Sequence, residues 1–232
     1  MTINETDNPN SGATLLTNKL LSLLPNDAVN ILNSNSNLVR FNKGNVIIKQ
    51  GTRTAHLMYL KKGTAKILKE GRNGKVLILK LIPKDNFLGL LADFSSTQYN
   101  FSVSAVEDSE VICIDKQTIR NLLETNCKFA TFVAEELSRE GLYIFERLMS
   151  QYQKQLPGRV ADVILYFAEE IFQSNVYTFP LSRRELAELA GTTKESFIRT
   201  LSEFKHDRII DLTGKKVTII SEKILKTLSK LG

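Results

Sequence analysis

Residues 181–201 read Leu181-Ser182-Arg183-Arg184-Glu185-Leu186-Ala187-Glu188-Leu189-Ala190-Gly191-Thr192-Thr193-Lys194-Glu195-Ser196-Phe197-Ile198-Arg199-Thr200-Leu201. Ser182 with Glu185 three residues on is a capping box, in which each side chain accepts from the other residue's backbone N–H, and it opens a helix. Leu186, Ala187 and Ala190 give that helix a small apolar face, and Ala187 is small where two helices must cross closely. Gly191 supplies the positive φ of a tight turn. Thr193 then caps a second helix that buries Phe197 and Leu201 and exposes Lys194, Glu195, Ser196 and Arg199. That spacing predicts a helix-turn-helix with its polar side chains where a recognition helix meets base edges.

The residue types suit the task. Arg199 can bind guanine O6 and N7 in bidentate fashion, Glu195 can accept from cytosine N4, and Lys194 can reach a guanine or a phosphate. Ser182 and Arg183 are placed to hold the phosphate backbone. Downstream, residues 209–211 and 217–220, joined by Thr213-Gly214-Lys215-Lys216, read as a wing, and Lys215 and Lys216 are natural phosphate contacts.

Upstream, the rhythm is that of a β protein. From Leu38, short apolar runs (46–48, 57–60, 65–68, 76–82, 101–106 and 111–114) alternate with glycine turns at Gly44, Gly51, Gly63 and Gly71-Arg72-Asn73-Gly74. Asn73-Gly74 is a type I′ hairpin signal, because both central residues need positive φ. Many short strands with regular turns predict an antiparallel sandwich or barrel. Two short helices, at 15–24 and after Pro25, precede it. After Asp115 the period turns helical. One long helix, residues 128–155, carries Ala134, Leu137, Gly141, Ile144, Leu148 and Gln151 at alternating steps of three and four, a seam for a second copy of the chain. Leu156-Pro157-Gly158 reads as the break between domains. The expected organisation is a disordered leader (1–13), a β-roll sensor domain (14–127), a dimerisation helix (128–155) and a winged helix-turn-helix DNA-binding domain (156–232), an α+β chain throughout.

Composition narrows the function. A net charge of +6 permits nucleic-acid binding without demanding it. Two cysteines, Cys113 and Cys127, are too few for a disulfide scaffold or a four-cysteine iron–sulfur cluster. Two histidines, His56 and His206, do not make a cupin-like metal centre, and no nucleophile–base pair stands out, so an enzyme is not expected. The polar N-terminus carries no signal peptide and no run of residues is long enough to span a bilayer, which predicts a cytoplasmic protein with no membrane partner.

Taken in order, β-roll, long helix and winged helix-turn-helix resemble the Crp/Fnr family of bacterial regulators. The likeness runs from about residue 15 to 230. It is carried by the turn glycines, Phe87-Leu88-Gly89, Ser104-Ala105-Val106 with Glu110-Val111, and residues 181–201. The resemblance implies a cyclic-nucleotide-binding-like jelly-roll, a homodimer on a palindromic double-stranded DNA operator, contact with RNA polymerase, and an effector that repositions the reading heads. It also implies roles in base reading for Lys194, Glu195 and Arg199. The chain departs from the cyclic-nucleotide members, which follow the pocket glycine with Glu and close the pocket with Arg-Ser. Here Leu90 follows Gly89, and Tyr99 and Asn100 stand at the Arg-Ser positions. Residues 86–104 contain no Lys or Arg, and burying a phosphodiester with no cation is costly. cAMP is therefore not expected, and the candidate pocket (Gly89, Leu90, Leu91, Tyr99, Asn100) is either filled by side chains or tuned to an apolar small-molecule effector. Haem stays open, with His56 the one histidine in the roll, although a lone strand histidine is more often a surface or packing residue. The alternative function is a β-roll regulatory module acting on a partner protein.

Overall fold

The structure, a computed structural model, describes residue 20 and residues 22–232. The expected leader at 1–13 and most of the expected first helix lie outside the described residues. The described residues divide into two compact units, one running up to residue 67 and taking in 81–141, the other of residues 68–80 with 142–232.

In chain order, α1 (Asn26–Ser34) leads into strands β1 (Ser36–Phe41), β2 (Val46–Ile48), β3 (His56–Lys62) and β4 (Thr64–Glu70). Next come β5 (Val76–Pro83), β6 (Asn86–Leu88), α2 (Leu90–Ser95), β7 (Ser102–Ala105), β8 (Ser109–Asp115), α3 (Lys116–Thr125) and α4 (Cys127–Gln153). The strands form two four-stranded sheets, β1-β8-β3-β6 and β2-β7-β4-β5, the antiparallel roll expected from the turn spacing. At the β4–β5 turn Asn73 (φ 60°) and Gly74 (φ 69°) take the positive φ that Asn-Gly permits. Leu57, Tyr59, Phe87, Ile112 and Ile114 are buried from the first sheet against Leu32, Ile119, Leu122, Phe129 and Val133 of α1, α3 and α4. Val111 and Leu60 are also fully buried, at the opposite parity. A sheet covered on both faces reads as a continuous apolar run rather than an alternation.

The second unit holds the end of α4, then α5 (Leu156–Tyr166), a π-turn (Phe167–Ile171), β9 (Val176–Thr178), α6 (Arg183–Ala190), α7 (Lys194–His206), β10 (Ile210–Thr213), β11 (Lys216–Ile219) and α8 (Glu222–Leu231). Its sheet runs β10-β11-β9. The long helix α4 stops at Gln153, and Leu156-Pro157-Gly158 form the first turn of α5. Proline is favoured there because its missing N–H would be unpaired anyway. Gly158 packs against the carbonyl of Leu228, which a Cβ would approach to 2.9 Å. The two compact units part within α4, between Gly141 and Leu142.

Asp162 of α5 gathers the second unit. Its carboxylate accepts from Ser150 Oγ (2.7 Å), Lys154 Nζ (2.8 Å) and Ser229 Oγ (2.6 Å), tying the ends of α4 and α8 to α5.

Candidate nucleic-acid interface and effector region

Local chemistry fixes the reading head. Ser182 Oγ accepts from Glu185 N–H at 3.3 Å and Glu185 Oε2 accepts from Ser182 N–H at 2.7 Å, the reciprocal box. Gly191 closes α6 at φ 65°. Thr193 Oγ1 accepts from Ser196 N–H at 3.2 Å and starts α7. Caps of this kind each contribute about 1 kcal/mol. Phe197, Thr200, Leu201 and Phe204 bury one face of α7. Lys194, Glu195 and Arg199 stand exposed on the other, with Ser196 half-buried at the cap. Arg199 Nε lies 4.0 Å from Glu203 Oε1, a loose pair with both side chains exposed.

Ile198 shares this face and is 38% exposed. The sequence placed it beside Arg199 without giving it a part in binding. A β-branched apolar residue left in water among polar neighbours was the available signal. Thymine offers such a side chain its methyl group in the major groove.

Ser182 spends its hydroxyl on the capping box. Arg183 is half-buried: Nη2 donates to the Gly214 carbonyl at 2.6 Å and the guanidinium lies 5.5 Å from the Phe179 ring centre. Burial lowers its pKa, and Nη1 is buried with no hydrogen-bond partner. Arg183 therefore braces the wing turn. Lys215 and Lys216 are exposed at that turn.

The carbonyls that end α6 are held from outside. Arg147 donates to Leu189 O, and Gln151 Nε2 (3.4 Å) and Arg159 Nε (3.1 Å) donate to Ala190 O. Two cations at a helix C-terminus complement its dipole. Of the expected seam, Gln151 is thus engaged within its own chain and Leu137 packs partly on the first unit's core. Ala134 is exposed, and beyond the local helix backbone no atom of the described residues lies within 4 Å of a Cβ built on Gly141. Ile144 and Leu148 are exposed, in company with Leu142, Phe145, Met149 and Tyr152.

In the roll, Gly89 takes φ 84° at the start of α2, and a Cβ there would come within 2.9 Å of the Tyr99 ring. Tyr99 and Leu90 are buried, Leu91 half-buried and Asn100 exposed. Tyr99 Oη lies 3.1 Å from Asp93 Oδ1 and 3.1 Å from the His56 carbonyl. The residues do not fit a cyclic nucleotide: an aromatic ring fills the space against Gly89, and no cation stands between 86 and 104 to meet a phosphate. Asp93 itself is buried, and that burial pushes its carboxyl up to about 7, against the pull of the Tyr99 hydrogen bond and Lys116. Burial also pushes the Cys113 thiol up to about 11, so it stays protonated at neutral pH. Among the described residues, no three His, Cys, Asp or Glu side chains cluster to hold a metal, and no helix is long and apolar enough to cross a membrane.

Comparison with known proteins agrees with this geometry. Residues 38–126 match the cyclic nucleotide-binding domain and residues 158–228 the Crp-like helix-turn-helix domain. The cAMP-activated global transcriptional regulator CRP of Salmonella typhimurium is 23% identical over 193 residues, covering 80% of this chain and 90% of that protein. The structure of FixK2 from Bradyrhizobium japonicum superposes with a TM-score of 0.75 at 17% identity, covering 83% of this chain and 96% of that one. The c-di-GMP responsive global regulator CLP of Xanthomonas campestris gives 0.73 at 18% identity, covering 84% and 99%.

Proposed function

Because the chain belongs to the Crp/Fnr family of DNA-binding transcriptional regulators, we propose that it works as a homodimer that sets one α7 into each of two major-groove half-sites about 34 Å apart. The observation that carries this is α7, capped by Thr193, whose exposed face presents Lys194, Glu195 and Arg199 over a buried Phe197, Leu201 and Phe204. Lys215 and Lys216 at the wing neutralise phosphates, and Ser182 and Arg183 support the register of the head on the backbone. The second copy docks on the apolar stripe of α4, Leu142, Phe145, Met149 and Tyr152, which is exposed and would otherwise stay wetted. On DNA, the dimer acts through RNA polymerase, as its family does.

The roll is not a cAMP receptor. Tyr99 supplies from within the chain the bulk that a ligand brings in cyclic-nucleotide-dependent relatives, so the dimer binds its operator without a cyclic nucleotide. Selection of bound sequences from a random duplex pool, with no ligand added, tests this. The expected result is a palindrome with half-sites one helical turn apart. Recovery of salt-sensitive background alone, unchanged when cAMP is added, would overturn it.

A further inference from the structure

Residues 61–80 carry seven Lys and Arg against Glu70 alone, a net charge of +6 that equals the charge of the whole chain. The rest of the chain balances cation against anion. The excess is not on the winged helix-turn-helix, where residues 156–232 hold twelve Lys and Arg against ten Asp and Glu. A surface kept only for solubility intersperses both signs; a field of one sign steers an oppositely charged partner.

The outer part of this stretch, residues 68–80 of the β4–β5 hairpin, belongs to the second unit. Tyr143 of α4 fastens it there: its Oη donates to the Leu79 carbonyl at 3.1 Å, and Lys80 Nζ lies 5.3 Å from the centre of its ring. One turn on, along the same face of α4, Arg147 donates to the Leu189 carbonyl at the end of α6. The hairpin and the helix-turn-helix are thus fastened to one helix, at points about 6 Å apart along its axis.

At the tip, the Gly71 N–H donates to the Lys75 carbonyl at 2.8 Å. Arg72 and Lys75 stand exposed on either side of Asn73-Gly74, and neither side chain makes a hydrogen bond or ion pair among the described residues. Two unpaired cations on one tight turn repel each other, and a bound polyanion removes that cost. Exposed cations hold a small anion weakly in water, whereas a duplex, with one charge per about 1.7 Å, gains by releasing its counterions. Lys215 and Lys216 of the wing already serve the backbone of the half-site. We infer that the 68–80 hairpin is a second, sequence-independent DNA contact, in which Arg72 and Lys75 grip phosphates of the duplex flanking the half-site that α7 reads. This rests on the reading of the chain as a DNA-binding dimer and extends its footprint.

The test compares two duplexes carrying the palindrome recovered by selection: a core of about 20 base pairs, which spans both half-sites, and the same core lengthened by about 20 base pairs of arbitrary sequence at each end. Binding of the full-length protein is followed by fluorescence anisotropy over a range of salt concentrations. Lengthening should tighten binding and steepen its salt dependence. The double variant Arg72→Gln with Lys75→Gln, unchanged in fold by circular dichroism, should bind the core as wild type does and lose most of that gain. Its salt slope on the long duplex should be smaller by about two to four, one for each phosphate contact given up on one flank or both. Lys43→Gln with Lys49→Gln, an equal change of charge at exposed positions in the first unit, should keep the gain. If the core is bound specifically and lengthening adds nothing, if the hairpin variant keeps the gain, or if the second variant loses it equally, the inference is overturned and the DNA reading stands. If neither duplex is preferred over scrambled sequence, both fall.

Discussion

The side chain of Gln151, in the last turn of α4, lies where a Cβ on Gly191 would have to go, and its Nε2 donates to the Ala190 carbonyl at 3.4 Å. The long helix is therefore latched to the turn of the helix-turn-helix, with Arg147 and Arg159 on the neighbouring carbonyls. Gly191→Ala should destabilise the chain by about 1–2 kcal/mol for the left-handed backbone alone, and by more for the encounter with Gln151. Gln151→Ala in the same chain should relieve that second part. Urea midpoints of the two single variants and the double variant measure it. Strict additivity would mean that Gln151 is not the obstacle.

The face proposed for the second copy follows the exposed residues rather than the expected seam alone. Leu142, Phe145, Met149 and Tyr152 lie one residue beyond Gly141, Ile144, Leu148 and Gln151, a rotation of about 100° around α4. Phe145→Glu should give a monomer in sedimentation, since it puts a charge in the centre of the buried stripe. Gln151→Glu should leave the dimer intact. A dimer unchanged by Phe145→Glu would reject this face.

Asp93 should make stability depend on pH. Burial holds its carboxyl at about 7 against an ordinary 3.8, although the Tyr99 hydroxyl and Lys116 favour the charged form. Tyr99 Oη stands 3.1 Å from both Asp93 Oδ1 and the His56 carbonyl, with one proton to give. A protonated Asp93 donates to Tyr99, which donates onward to His56. Between about pH 4 and 7 the native state holds this proton and the unfolded chain does not, so stability falls as pH rises through that window and levels off above 7. The whole fall across the window is at most roughly 4 kcal/mol. Asp93→Asn should flatten the dependence. Denaturation at about pH 5 and about pH 8 measures it. A wild-type-to-variant difference equal at both values would show that Asp93 does not titrate there.

What was legible in the sequence was local. The Ser182–Glu185 box, Thr193, Gly191 and Asn73-Gly74 declare themselves because each satisfies backbone groups a few residues away. β9 was hidden in a polar loop: Val176–Thr178 has one buried side chain, and it becomes a strand by pairing Tyr177 with Val217, forty residues on. α8 begins at Ser221 with no side-chain cap and buries Leu225 alone. Leu156-Pro157-Gly158 was legible too, because proline is disfavoured inside a helix and favoured in its first turn: α4 ends at Gln153 and α5 begins at Leu156. The latch between Gln151 and Gly191 was illegible, since a heptad does not tell a neighbour in the same chain from a second copy. Asp93 is the one acid of residues 86–104, and nothing local in the sequence tells that Tyr99 and Lys116 of α3 meet it.

Arg199 and the wing lysines should fail in different ways. Arg199 has only a loose 4.0 Å pair with Glu203 to give up on reaching a base. Arg199→Ala should cost about 1–3 kcal/mol of operator affinity and relax preference at one base pair. Lys215→Ala or Lys216→Ala should weaken all duplexes alike and reduce the salt slope by about one. Binding measured across single-base operator variants at several salt concentrations separates the two. A uniform loss for Arg199→Ala would make it a phosphate contact.

Ile198 should read a thymine. It is 38% exposed, on the same face as Lys194, Glu195 and Arg199, and its β-branched side chain loses little rotamer freedom on contact. Uracil keeps every hydrogen-bonding group of thymine and lacks only the C5 methyl. Replacing the contacted thymine by uracil in the selected operator should therefore cost about 0.8 kcal/mol, roughly fourfold in affinity, the worth of one buried methyl-sized group. Ile198→Ser should bind the two duplexes equally, because its hydroxyl gains nothing from the methyl. Scanning uracil through each thymine of a half-site, with wild type and variant side by side, locates the position. Equal binding of wild-type protein to every uracil duplex would leave Ile198 outside the base contacts and confine reading to the polar side chains around it.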